Sequence, residues 1–249
     1  MVNAALSLGG IVGVFLSGAF MYWQVGKYAA PQVPRTLFDE RKELIAYTAG
    51  LFIGIPLSLP LIFYLDAIGN AALLSAVIDL ALVVVGTEVG QYFLLRTHYF
   101  RGDESGPFYA LGARSGIAGL LSLAIVAQYL SGPSLSVLGV VVVFAQSVAI
   151  LIIEVAGALL SVPAPARQGR LGGSPVAGGL FGVFGFFVLG LGVLIGPGGA
   201  LFAAALAAAG GGYAFQRIRE PVLGGLLPPR PPPEEGERTE PSPYRRSSR

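Results

Sequence analysis

Seven long apolar runs constrain this chain more than any other feature. They cover roughly residues 5–26, 44–65, 71–95, 113–131, 135–161, 175–196 and 199–216. A helix needs about 20 mostly apolar residues to cross the hydrocarbon core of a bilayer. Lipid offers no hydrogen-bond partner to a backbone N–H or C=O, so a span must be helical or part of a closed barrel. The runs do not alternate polar with apolar residues, which argues against barrel strands. Charged residues make up 12% of the 249, about half the roughly 25% of ordinary soluble domains. The expected fold class is therefore all-α: a polytopic transmembrane helical bundle with seven spans over residues 1–216. Residues 217–249 are expected to form a separate tail.

The connections between runs give an orientation. Three are tight and rich in turn-forming residues: Asp66 to Asn70, Ser131-Gly132-Pro133-Ser134 and Gly196-Pro197-Gly198-Gly199. These turns and the segment before the first run contain no Lys or Arg. The basic residues gather in or beside the other connections: Lys27, Arg35, Arg41 and Lys42 in the first, and Arg96, Arg101 and Arg114 in the third. Arg167 and Arg170 lie in the fifth, and Arg217 and Arg219 follow the last run. Basic residues near span ends stay in the cytoplasm. An odd number of spans with the N-terminus outside and the C-terminus cytoplasmic puts every basic connection on one side.

Aromatic residues beside these cations read as interfacial anchors. Trp23 precedes Lys27, Tyr92 precedes Arg96 and Tyr213 precedes Arg217, each pair one helical turn apart. The first run lacks a basic leader and a small-residue cleavage site, so it reads as a retained helix, not a signal peptide. The tail carries Pro228 to Pro233, a Glu cluster at 234–240 and a basic end. Such a stretch cannot bury a core and is expected to be disordered. Asp39 to Glu43 reads as a surface cap on the second helix, since acids suit a helix N-terminus.

Small residues four apart mark close helix approaches. Gly9, Gly13 and Ser17 form such a ridge on the first run, Gly50 and Gly54 on the second, Gly112 and Gly116 on the fourth, and Gly178 and Gly182 on the sixth. These ridges serve bundle packing or a homo-oligomer face. Pro56 and Pro60 in the second run remove backbone donors and are expected to kink it.

Ionisable side chains inside spans carry the most information. Each costs about 2.5–3.5 kcal/mol on insertion scales and usually faces the bundle interior. Asp79 and Glu88 fall in the third run and Glu154 in the fifth, with Gln91, Gln128 and Gln146 as neutral polar company. Asp79 and Glu88 are nine residues apart, hence on opposite faces. Both faces would then touch protein, making the third helix central. Glu88 and Gln91 share a face. Glu88 and Glu154 sit at similar depth in the cytoplasmic half. Two readings follow. Glu88, Gln91 and Glu154 form a proton- or cation-responsive site, with Gln146 or Asp79 toward the outside. Alternatively each carboxyl is protonated or pairs with Arg114 and fixes helix register.

Several chemistries are excluded. The chain has no cysteine and one histidine, His98. Paired-histidine haem ligation, thiol chemistry and Cys/His metal centres are therefore unavailable. No phosphate-binding loop or dinucleotide turn is present. Ala113-Arg114-Ser115-Gly116 resembles a serine-nucleophile turn only faintly and lacks a histidine partner within the membrane. The seventh run has no lysine to carry a retinal Schiff base. The sequence leads to the expectation of a small permease- or channel-like protein of the cell membrane, not an enzyme. No cofactor, metal or nucleic acid is expected. The alternative is a non-catalytic scaffold or subunit of a membrane complex, holding a protein partner at its cytoplasmic loops or tail.

Overall fold

The computed structural model describes residues 2–28, 38–70, 72–100, 105–130, 137–162 and 174–224. Seven α-helices and no strand are present among them: α1 (Val2–Tyr28), α2 (Glu40–Gly69), α3 (Leu73–Arg96), α4 (Gly106–Leu130), α5 (Val137–Ser161), α6 (Pro175–Ile195) and α7 (Pro197–Gly224). The boundaries follow local signals. Asp39 caps α2 by accepting hydrogen bonds from the backbone of Arg41 and Lys42. Ser174 caps α6, with Pro175 at its first position. Gly196, at φ +98°, makes the turn into α7, a conformation that favours glycine.

The helix α4 is the hub. It packs against α1, α2 and α5, and nearly all of its described side chains are buried. The reason lies in the small-residue ridges, three of which meet here. A side chain on Gly50 would overlap the Ala113 carbonyl, one on Gly116 would overlap the Tyr47 carbonyl, and one on Gly13 would overlap the Gly119 carbonyl. The backbones of α1, α2 and α4 thus approach to contact, as small residues in membrane helices permit. The surroundings of Gly9 lie outside the described set. Remaining contacts place α3 against α2 and α6, and α7 against α5 and α6.

This arrangement corrects the expectation that the third helix is central. One long side of α3 is outward, with Leu74, Val77, Ile78, Leu82, Val85, Val89 and Phe93 exposed. Asp79 is half-buried, not packed inside. The inward side of α3 carries Leu80, Val83, Val84, Thr87, Glu88 and Gln91. The helix α2 passes unbroken through Pro56 and Pro60, with Pro56 on its outward face. The helix α7 continues to Gly224 and so takes in the first eight residues of the segment read as tail; residues 225–249 lie outside the described set.

Large apolar side chains cover the outer surface: Phe52, Leu59 and Phe63 on α2, Val140 and Phe144 on α5, Leu180, Phe184 and Phe187 on α6, and Phe202 and Leu206 on α7. Monomeric soluble proteins rarely expose contiguous apolar surface on this scale. The helices α2 to α7 each contain a segment long and apolar enough to cross a bilayer, by length and composition. The chain is a helical membrane protein.

Candidate functional site

The inward faces of α3, α4 and α5 meet on one guanidinium. Arg114 lies two to three turns into α4, because the helix begins at Gly106, seven residues before the apolar run itself. Its side chain is therefore carried into the bundle and is 4% exposed. Its Nη1 donates to Glu154 Oε2 at 2.7 Å, its Nη2 to Glu88 Oε1, and its Nε to Gln91 Oε1. Glu88 and Gln91 are three residues apart on α3 and so present one face to it. Glu154 comes from α5 and is 2% exposed. A planar guanidinium donates along several directions at once, which a lysine ammonium does not reproduce in this geometry.

The second oxygen of Glu88 has its own partner. Ser161 Oγ lies 2.7 Å from Glu88 Oε2 and 2.8 Å from the Gly157 carbonyl, so its one proton serves either acceptor. Above them runs α6. A side chain on Gly178 would overlap Ser161 Oγ and come within 2.9 Å of Glu88 Oε1. The Gly178–Gly182 ridge thus brings α6 down onto the polar cluster. One cation faces two carboxylates, so the fully ionised cluster carries one negative charge in excess. Buried charges are tolerated only with pairing and further hydrogen bonds, and this cluster supplies both.

Two spaces adjoin the cluster. A void of about 10 Å³, room for about one water, is lined by Glu88, Arg114, Glu154, Gly157, Gly178 and Gly182, among others. A cleft of about 190 Å³ is lined by Glu88, Gln91, Tyr92, Arg96, Ser161 and Pro175, among others. Glu88 borders both. Arg96, Ser161 and Pro175 are helix-end residues, so the cleft opens at the end of the bundle that carries the basic connections.

The other sequence-predicted residues lie elsewhere. Asp79 lines an open cleft of about 400 Å³ with Asp66, Asn70 and Ser75 beside the α2–α3 turn. Gln146 is buried on α5, eight residues before Glu154, and neither of its amide atoms has a hydrogen-bond partner. The side chain of Gln128 lies outside the described set. The anchor pairs are formed: Lys27 Nζ stands 5.1 Å from the Trp23 ring centre, the Arg96 guanidinium 4.5 Å from Tyr92, and that of Arg217 5.3 Å from Tyr213. Ser115 is buried in mid-helix and donates to the Gly112 carbonyl, so it forms no nucleophile turn. His98 is exposed.

Sequence reasoning missed three things. The sequence places Arg114 among the cations flanking a connection, as one candidate partner for a carboxyl, and gives no sign that it organises the cluster. Ser161 was not singled out, although it follows Glu154 by seven residues and so shares its face. Glu43, read as a surface cap, is fully buried, because Asp39 takes the capping role. Among the described residues no three His, Cys, Asp or Glu side chains gather as a metal-binding group.

The fold and the cluster define a class: a helical membrane protein with a buried Glu–Arg–Glu network. Known protein families, curated proteins and solved structures all lack a match to the chain.

Proposed function

We propose that the protein is a small permease-like carrier in which the Glu88–Arg114–Glu154 cluster is a proton-responsive site reached from the cytoplasm. In this reading all seven helices span the cell membrane, with the N-terminus outside and the C-terminus in the cytoplasm. The protein acts as a carrier, not an enzyme. One observation carries the reading: the cleft of about 190 Å³ ends on Glu88 and Gln91, so the cluster lies one side chain from the bundle's basic end. The charge count adds to it. Two carboxylates around one guanidinium leave a single charge for a proton to neutralise. Intramembrane ionisable groups of this kind mark ion and substrate pathways.

The absence of cysteine makes the test direct. Single cysteines at Gln91 and Ser161, with Leu82 on the outward face of α3 as control, are probed with a membrane-impermeant maleimide from each side. Labelling at 91 and 161 from the cytoplasmic side alone supports the reading. Glu88→Gln is then expected to slow proton entry into dye-loaded proteoliposomes under an imposed potential. The scaffold alternative rests on the small void: each guanidinium nitrogen of Arg114 has a hydrogen-bond partner, with room for about one water beside it, as a static register lock requires. Uniform protection of both cysteines would favour that alternative and direct attention to partners of the loops and tail.

A further inference from the structure

The cleft that ends on the buried cluster carries chemistry of its own. Tyr92, Leu95, Arg96, Val162 and Pro175 wall it, and Glu88, Gln91 and Ser161 close its inner end. Arg96 is exposed in the last turn of α3, its guanidinium 4.5 Å from the Tyr92 ring centre. Among the described residues no carboxylate pairs with it. The connection that joins the α5 and α6 walls, residues 163–173, adds Arg167 and Arg170 and contains no Asp or Glu.

The inner end offers donors and no vacant acid. Glu88 Oε1 accepts from Arg114 and Oε2 from Ser161, so both oxygens already have partners. Gln91 Oε1 accepts from Arg114 Nε, which leaves its amide N–H groups to bond elsewhere. A cationic ligand would meet Arg96 on the wall and occupied carboxyl oxygens inside. An anion meets a guanidinium, an amide donor and a hydroxyl. Size and wall chemistry narrow the anion. At roughly 30 Å³ per liquid water, a cleft of about 190 Å³ holds about six waters, hence a molecule of about four to six heavy atoms. Leu95, Val162 and Pro175 are apolar walls suited to a short alkyl chain. A guanidinium matches a carboxylate through two parallel N–H···O bonds.

Charge couples such a ligand to the proton. With one excess negative charge on the cluster, Arg96 brings the site to zero when proton and anion are both absent. Either one alone leaves a unit charge beside the buried core, where uncompensated charge is costly. Both together restore zero. Each therefore favours the other's binding, by the same factor in either direction. The groups that face Glu88 are few: Arg114 from α4, and Glu154 and Ser161 from α5 around the same cluster. The helix α6 presents Gly178 and Gly179, and α2 sets Ile53 and Leu57 against Gly90 and Gly86 of α3, none of them titratable.

We propose that this cleft binds a small monocarboxylate between Arg96 and the Gln91–Ser161 donors, together with one proton on the Glu88–Arg114–Glu154 cluster. The inference rests on the proton-responsive reading above and names its substrate class. The test is calorimetric titration of the purified full chain in detergent with sodium propionate, at about pH 6 and about pH 7, where a simple carboxylic acid is ionised. Two buffers of different ionisation enthalpy count the protons taken up. One site per chain is expected, with Kd rising by up to about tenfold per pH unit. Arg96→Gln is expected to weaken binding by about tenfold or more, and Ser161→Ala to weaken it less. Arg217→Gln, which removes the matching guanidinium over Tyr213, is expected to leave it intact. Glu88→Gln is expected to bind propionate without pH dependence. Should that variant fail to fold, the proton count in the wild type decides: one proton per anion supports the coupling and none refutes it. No saturable binding, equal loss in Arg96→Gln and Arg217→Gln, or tighter binding of propylammonium overturns the proposal. The carrier reading fails separately. Cytoplasmic labelling at position 91 without propionate binding overturns the monocarboxylate alone, whereas protection at 91 and 161 overturns both.

Discussion

Replacing Arg114 by methionine isolates what the buried cluster contributes. Methionine keeps much of the side-chain volume but removes the charge and every donor. Three hydrogen bonds go with it, to Glu88, Gln91 and Glu154. At about 1.5–3 kcal/mol for each bond to a charged group, the gross loss is about 5–9 kcal/mol. The cost of desolvating the guanidinium is recovered, so the net loss falls toward the 3–5 kcal/mol typical of breaking a buried pair. The defect should come mainly from the two carboxylates left behind. Arg114→Met combined with Glu88→Gln and Glu154→Gln is therefore expected to recover most of the lost stability, since wholly neutral replacement of buried ion networks is often close to neutral. Reversible unfolding in mixed detergent micelles, read by circular dichroism across the full mutant cycle, measures both quantities. An Arg114→Met loss under about 1 kcal/mol, or a triple variant no more stable than the single one, would refute the network as described.

Three further outcomes follow from the packing. Gly50→Ala and Gly116→Ala drive a methyl into the facing backbone and should each cost about 1–3 kcal/mol or more, whereas Gly210→Ala, with nothing within 4 Å, should be neutral or stabilising by up to about 1 kcal/mol; thermal midpoints of the three variants decide it. Tyr64→Phe removes the hydroxyl that donates to the Phe186 carbonyl at 2.9 Å and should cost about 0.5–1.5 kcal/mol, measured by the same unfolding assay. Gly178→Ala should disturb the Glu88–Ser161 contact and change maleimide labelling of a cysteine at 91, while Gly182→Ala, whose nearest neighbour is a Val84 methyl at 3.6 Å, should leave that labelling unchanged.

The helices themselves were legible because hydropathy, tight Gly/Pro turns and cap residues all agree. The ridge at Gly50, Gly54, Gly112 and Gly116 was legible as a pair of packing faces, though not as a pair that packs together. Sequence spacing fixes which residues share a face of one helix, but not which helix that face meets. Asp79 shows the limit. Its position opposite Glu88 is correct helix geometry, yet the inference of a central α3 required both faces to need protein. Asp79 instead lies beside the turn end of α3, in a cleft with Asp66 and Asn70, where a carboxylate need not be buried. Glu43 fails in the opposite direction. An acid in a first turn has a ready explanation as a cap, and nothing in the local sequence says that Asp39 has already filled that role.

Arg114 joins the two problems of topology and site. Counted as a loop residue, it adds to the basic excess of the third connection and has no bearing on the core. Carried into the bundle, it leaves that count and becomes the cation around which three helices are set. The orientation argument survives the transfer, because Arg96 and Arg101 still mark the connection as basic. The site argument changes in kind. Without Arg114, Glu88 and Glu154 would be two like charges that repel unless protonated; with it, they form a network one charge short of neutral. A proton added to that network does not create a stable core from an unstable one. In the proposed reading it removes a single excess charge from a core already held by three donors, and any response is expected in α3, α5 and α6, since α4 is held against α1 and α2 by backbone contact. The expected signature is separable. Glu88→Gln should abolish proton-dependent changes in labelling at position 91 yet leave the Gly50–Gly116 packing, and hence the sensitivity of the fold to Gly50→Ala, unaltered.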